Sequence, residues 1–318
     1  MTGGSGRIIF IIGLRVVGIA SLVEIALTEV AMQLVSDRGF DLAPEQMEGL
    51  TIHCVPLLIT LDGKTYRSGV DIQPEEFYDM LDQTDSFPTT SQPSAGDFAE
   101  LYRELAKTDA EIFSIHISSG LSGTINSARA GAQMVPEAKV TFFDTKTLSC
   151  PMGWQVQTAA RAIRAGLPLE RVVALVEQVR SSSEGIFTLP TLKYLIHGGR
   201  INHMQGLLAS LLNIKPIISV EKVKGTYVNL SQEMTMRRAL RRMAELVAKW
   251  YPHPGPMRIQ LLHGKNPEAV EILREQIASL IECTFLPTTA VGPALGAHTG
   301  GGLVGMAFAQ QAAYPELP

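Results

Sequence analysis

Cysteine is scarce in this chain of 318 residues: Cys54, Cys150 and Cys283 are its three, far apart, and no C-x-x-C pair occurs. That argues against a disulfide framework or a zinc ribbon and for a reduced, cytoplasmic setting. An excess of positive charge is missing too. The formal net charge is −4, so nucleic-acid binding has little electrostatic support. The glycine-rich turn at 297–302 lacks the G-K-[ST] ending of a Walker loop, and the chain has neither the H-E-x-x-H spacing of zinc proteases nor the G-x-S-x-G elbow of serine hydrolases. No metal and no cofactor is expected. What remains is 46% hydrophobic and 18% charged, the balance of a folded protein with a large core.

The first 31 residues stand apart. Arg7 followed by the apolar run 8–14 has the outline of a signal peptide, but Arg15 and Glu24 interrupt it and no small-residue cleavage pattern follows. The run also falls short of the roughly 20 residues a spanning helix needs, so no stable membrane insertion is expected. Residues 1–31 read as a dispensable extension from an upstream start codon, with Met32 the natural start. An added helix and a targeting segment are the alternatives.

Downstream, strands and helices alternate. Strands are expected at 33–36, 53–61 and 65–70, the last two joined by the turn signal Asp62-Gly63. Helices at 74–81 and 97–107, a buried strand at 111–117, a helix at 124–134 and a strand at 139–143 follow. This order favours an α/β layout with a parallel sheet. Helices at 153–165 and 169–181, strands at 214–220 and 226–230, a helix at 234–250, a strand at 258–262 and a helix from Asn266-Pro267 to 282 complete the pattern, with an outer strand at 283–286 and an apolar helix at 303–309. The domains expected are 32–170 and 171–318.

Two hydroxyl-rich loops carry most of the chemical information. Pro88-Thr89-Thr90-Ser91-Gln92-Pro93-Ser94 and Ser118-Ser119-Gly120-Leu121-Ser122-Gly123-Thr124 contain no charged residue. Hydroxyls and backbone N–H groups converging on one point hold an anion without a formal positive charge. The second loop opens a helix after a strand, where free N–H groups attract anions. Ser122 or Thr124 acting as a simple helix cap is the plainer reading of that loop, and a turn linking two helices is the plainer reading of the first. Arg200 follows the glycine pair Gly198-Gly199. It reads equally as an anion guide and as a solvated residue. His298 begins a glycine-rich turn. Arg237, Arg238, Arg241 and Arg242 share one broad helix face, solvated or facing an acidic partner. A triad of Ser122, His298 and Asp144 has no support in spacing.

Together these residues resemble the DegV family. The matching stretches are 88–94 (P-x-T-S-Q-P-S), 118–124 (S-S-x-L-S-G-T), 194–201 (Y-L-x-x-G-G-R-I), 211–216 (L-L-x-I-K-P) and 298–302 (H-x-G-P-G), in the family's order. The resemblance implies two α/β domains with a lipid site between them, the N-terminal one with a mostly parallel sheet. It implies a non-catalytic carrier that holds a long-chain fatty acid and presents it to a separate fatty-acid kinase for phospholipid synthesis. Thr90 and Ser122 would contact the carboxylate. Ser91, Ser119, Gly123, Arg200, His298 and Arg38 would stand near the head group or the docked partner. Three departures stand out: Arg38-Gly39 replaces Ser-Thr in the family's opening D-S-T-x-D-L, Gly301 stands in place of proline, and residues 1–31 have no counterpart.

Physical chemistry suits that ligand. About 15 buried methylenes gain on the order of 12 kcal/mol gross, at roughly 0.8 each. Ordering and carboxylate desolvation take back much of this, so the buried oxygens must be hydrogen-bonded. Neutral hydroxyls do so without stranding a buried cation. The rival readings are a Ser-dependent esterase or phosphate-ester hydrolase at the same cleft, and a pure interaction protein dominated by its arginine helix.

Overall fold

The computed structural model describes residues 32–202, 214–252 and 255–316. Expectations for residues 1–31 and for the start of the 211–216 motif lie outside the described residues.

The first half of the chain is β1 (Gln33–Asp37), α1 (Pro44–Met47), β2 (His53–Val55), β3 (Leu58–Leu61), β4 (Lys64–Arg67), α2 (Pro74–Asp82), β5 (Thr89–Ser91), α3 (Ala95–Ala106), β6 (Glu111–His116), α4 (Thr124–Gln133), β7 (Lys139–Asp144) and α5 (Ser149–Arg164). Strands β2-β1-β6-β7 form a wholly parallel sheet. Alternate side chains of its central strands enter different cores. Val35 and Ile112 pack under α3 with Phe98 and Tyr102, while Leu34, Phe113 and Ile115 pack on the other face with Trp154 of α5. Helices on both faces bury β1 and β6 along nearly their whole length, so Ser36, Asp37, Ser114 and His116 are buried beside the apolar residues.

The expected strand 53–61 is two strands. Pro56 has no N–H to give a ladder, and the chain leaves the parallel sheet there to start a second one. Asp62 and Gly63, both at positive φ (51° and 77°), close the β3–β4 hairpin. The first hydroxyl loop is not a turn between helices. Thr89–Ser91 is a strand, antiparallel to β3 with Ile59 opposite Thr90, in a sheet ordered β4-β3-β5.

The second half adds α6 (Leu169–Ser182), β8 (Glu184–Thr188), α7 (Lys193–His197), β9 (Lys215–Val220), β10 (Tyr227–Glu233), α8 (Met236–Trp250), β11 (Met257–His263), α9 (Pro267–Ala278), β12 (Cys283–Ala290), α10 (Pro293–Thr299) and β13 (Val304–Gln310). Its mixed sheet is ordered β10-β9-β8-β13-β11-β12, with only β11–β12 parallel. Two expectations are overturned here. The apolar stretch 303–309 is strand β13, central between β8 and β11. The glycine-rich turn begins one residue after α10, which itself carries Ala297, His298 and Thr299. A short apolar run buried on both faces has no periodicity that separates strand from helix. Gly305 has a packing reason to be glycine, since a Cβ there would sit 2.9 Å from Phe187 Cβ.

Helices α5 and α6 lie between the two large sheets. One core joins Leu34 and Phe113 of the parallel sheet, Trp154 and Ala159 of α5, Val172 and Val176 of α6, and Ile218 and Ala307 of the mixed sheet. Helices α8 and α9 cover the far face of the mixed sheet through Leu240, Met243 and Leu273. The division expected at 170/171 falls in the first turn of α6. Among the described residues, no helix is long and apolar enough to cross a membrane.

Candidate ligand-binding site

Strand β6 ends at His116, and the second hydroxyl loop turns the chain into α4. Buried Asp37 shapes this end: its carboxylate accepts from Gly39 N (2.8 Å) and Ile117 N (3.0 Å) and contacts His116 Nδ1 at 3.0 Å. The loop is then tied down twice. Ser118 Oγ donates to Gly225 O (2.7 Å), and the amides of Leu121 and Ser122 donate to Ser118 O (3.0 Å each). Gly123 is the helix N-cap and has no side chain to cap with; Ser122 Oγ instead accepts from Thr124 N (3.3 Å) and meets Thr124 Oγ1 at 2.8 Å.

The first hydroxyl segment reaches the same place from the small sheet. Gln92 Nε2 donates to Ser127 Oγ of α4 (2.7 Å). Gly123 leaves room for that amide, because a Cβ there would run into Gln92 Oε1. On the other side, Thr90 Oγ1 lies 2.6 Å from His298 Nε2 of α10. Thr90, Ser91, Ser122, Arg200 and His298 therefore wall one narrow cavity of about 60 Å³, together with Gln92, Leu57, Ile117, Leu121, Leu148, Tyr227, Ala294 and Leu295.

Five of the eight residues named from sequence thus converge. Three do not line this cavity. Ser119 is exposed, with its hydroxyl 3.1 Å from Lys146 Nζ. Gly123 abuts Gln92. Arg38 lies beside Gly69, and its Nε is buried without a hydrogen-bond partner among the described residues. The Ser122, His298, Asp144 arrangement is not assembled. His298 contacts Thr90 rather than Ser122, and Asp144 pairs with Lys146 at 2.8 Å. Three of the four arginines of α8 pair with acids: Arg238 with Glu233, and Arg241 and Arg242 with Glu245.

His298 is 9% exposed, and its Nδ1 has no partner among the described residues. Burial first, and Arg200 second, push its pKa down to about 4, so the imidazole is neutral at pH 7. Two close approaches around this histidine require glycine, one in the 194–201 motif and one in the turn after α10. A Cβ on Gly198 would run into His298 Nδ1, and one on Gly300 (φ 71°) into the ring of Tyr194. Arg200 spends one donor on Gly198 O (2.7 Å) and forms no ion pair among the described residues.

A second cavity, of about 40 Å³, adjoins the first. Leu148, Tyr227 and Leu295 wall both. Beyond them its wall is mainly apolar, including Pro151, Ile186, Phe187, Leu262, Leu303 and Met306. Tyr227, buried where the two meet, packs edge-on to Phe187 at 5.7 Å, and burial raises its hydroxyl pKa far above the usual value. Sequence reasoning missed Tyr227 and Gln92. Gln92 stood inside a recognised motif. Tyr227 carried no signal beyond an aromatic residue in a strand.

Fold and site define an α/β protein with two adjoining cavities, one walled by hydroxyls and the other mainly apolar. A family model described as "Uncharacterised protein, DegV family" matches residues 31–311. The chain belongs to the DegV family. A DegV domain-containing protein of Listeria innocua is 30% identical over 276 residues, 86% of this chain and 97% of that protein. Among solved structures, a DegV family protein from Thermus thermophilus described for its fatty-acid binding superposes with a TM-score of 0.80 at 32% identity, covering 88% of this chain and 99% of the other. DegV from Bacillus subtilis, described as a fatty acid binding protein, gives 0.78 at 30% identity with the same coverage.

Proposed function

We propose that this protein is a non-catalytic carrier of a long-chain fatty acid, with lobes 32–170 and 171–318 enclosing the lipid. The carboxylate sits at Thr90 and Ser122, and the tail enters the apolar slot past Leu148, Tyr227 and Leu295. The observation that carries this reading is that a hydroxyl-walled cavity lies beside an apolar one, the two sharing those three side chains as wall. The fatty-acid binding of the Thermus and Bacillus relatives supports the ligand class.

The chemistry of the head site follows from a neutral His298. With its proton on Nε2, the imidazole donates to Thr90 Oγ1, and the threonine hydroxyl is free to donate to a carboxylate oxygen. Ser122 supplies a second hydroxyl. Arg200 adds a positive field at the wall without a bidentate clamp, so the head group is held but releasable. Release matters because the carrier presents the carboxylate to a separate fatty-acid kinase, with exposed Ser91 and half-buried Arg200 on the side where that partner docks. Localisation in the cytoplasm, where such a kinase finds its ATP, belongs to the same proposal.

A catalytic reading rests on the Thr90–His298 contact, which pairs a hydroxyl with an imidazole. Two features weigh against it. No acid orients Nδ1 among the described residues, and a pKa of about 4 makes a poor general base at neutral pH. The test is native mass spectrometry of the purified full chain, followed by solvent extraction and lipid analysis. A fatty acid at one per protein is expected, with no turnover of a chromogenic ester. Protein that emerges without lipid and refuses long-chain acids offered to it would overturn the proposal.

A further inference from the structure

The wall of a separate, larger cavity contains two arginines with no acidic partner among the described residues. Helix α5 starts at Ser149, beside the apolar cavity, and Arg161, twelve residues further on, is roughly 18 Å away along the axis. There an open cavity of about 920 Å³ is walled by Arg161, Arg258 of β11, Gln157, Gln311, Tyr314 and Pro287, among others. The Arg258 guanidinium lies over the Tyr314 ring, 3.5 Å from its centroid, and 4.9 Å from that of Trp154. Its Nε is buried and has no hydrogen-bond partner among the described residues. Neither Arg161 nor Arg258 forms an ion pair among the described residues, although twelve such pairs occur elsewhere. The two acids of the wall, Glu45 and Glu316, are both exposed and reach neither arginine.

We propose that this cavity is a second binding site, for a small organic phosphate. Two uncompensated guanidinium groups match the charge of a phosphate monoester dianion, and their planar forks suit its oxygens better than a point charge would. A partly buried cation without a counter-ion is costly, and an anion arriving between the two relieves that cost. Desolvation acts most against the charged form of Arg258; Tyr314 favours it, and the nearby Arg161 disfavours it again, and an incoming anion would oppose that last repulsion. The exposed Gln311 amide adds a donor. The cavity lies within the roughly 300–1,000 Å³ of small-molecule sites and is far larger than a bare ion needs. The flat Tyr314 ring offers the organic part a surface. This site is independent of the fatty-acid reading, because it shares no wall residue with either lipid cavity.

Trp154 and Trp250 are the chain's two tryptophans, so Trp250→Phe leaves Trp154, beside Arg258, as sole reporter. Phenyl phosphate titrated into that full-length variant at constant ionic strength is expected to change its fluorescence saturably, with tighter binding than inorganic phosphate. Arg161→Gln, at the rim, should weaken phenyl phosphate binding at least about tenfold, and Arg161→Lys should restore part of it. Arg258→Gln should do the same provided its urea midpoint shows it folded; should it not fold, Arg161→Gln decides. Fatty-acid content should be unchanged in Arg161→Gln. The absence of a saturable response, or equal affinity of Arg161→Gln and its parent, would show that the aromatic rings alone hold Arg258 and would overturn the proposal. Equal affinity for both phosphates would overturn its organic part.

Discussion

Thr90→Val tests the head site at its most constrained contact. The substitution keeps the β-branched shape that β5 accepts and removes only the hydroxyl. Two consequences follow from the 2.6 Å contact with His298 Nε2. First, the imidazole, whose Nδ1 already lacks a partner among the described residues, loses its remaining one. A buried polar group left unsatisfied costs about 1–3 kcal/mol of folding stability. Second, a hydrogen bond to a charged carboxylate disappears, worth about 1.5–3 kcal/mol, so fatty-acid affinity should fall roughly 10- to 150-fold. Ser122→Ala removes one acceptor for Thr124 N and should cost about 1 kcal/mol of stability, with a further loss of affinity of about tenfold. The assay is displacement of a fluorescent fatty acid from delipidated protein, read beside urea denaturation of each variant. If Thr90→Val/Ser122→Ala binds as tightly as wild type while both urea midpoints drop as expected, the hydroxyls are structural and the head group lies elsewhere.

Other perturbations separate the roles of neighbouring residues. Because the folded-state pKa of His298 is depressed to about 4 from 6.5, its contribution is intact above pH 6.5 and lost as pH falls towards 4, by about 3 kcal/mol. Asp41 has the opposite sign. Burial raises its pKa from 3.8 to about 6, against the Ser149 and Gly292 hydrogen bonds, so its contribution is present below pH 3.8 and lost as pH rises through 6. The two oppose between pH 4 and 6; His298→Gln should make urea stability less acid-sensitive there, and Asp41→Asn should raise it at pH 8. Gly198→Ala forces a methyl into His298 and should lower stability by about 1–3 kcal/mol together with fatty-acid affinity, measured by the same two assays. Gly301→Pro should be tolerated and add about 0.4–1 kcal/mol to the unfolding free energy: the nearest obstacle to a Cβ is Asp82 Oδ1 at 3.9 Å, and the Gly301 amide makes no hydrogen bond among the described residues.

Local chemistry was legible in the sequence by itself. Asp62-Gly63 marked a hairpin because few residues accept two successive positive φ angles, and Asn266-Pro267 marked a helix start because the one caps and the other needs no N–H donor. The strand–helix alternation to residue 144 signalled a parallel sheet, since parallel neighbours need a crossover, usually a helix, between them. The hydroxyl loops were legible as chemistry but not as a site. Only the tertiary structure decided that Thr90 would come from a strand of the small sheet, Ser122 from a loop after β6 and His298 from α10, because 208 residues separate Thr90 from its imidazole. It also decided that 303–309 is a strand, as its neighbours β8 and β11 supply the hydrogen bonds that no local pattern announces. The apolar cavity beside the hydroxyl site and the Arg161–Arg258 cavity belong to the same category. A side chain's residue type is written in the chain, but which distant backbone faces it, and whether a counter-charge stands opposite, is settled only when the layers pack.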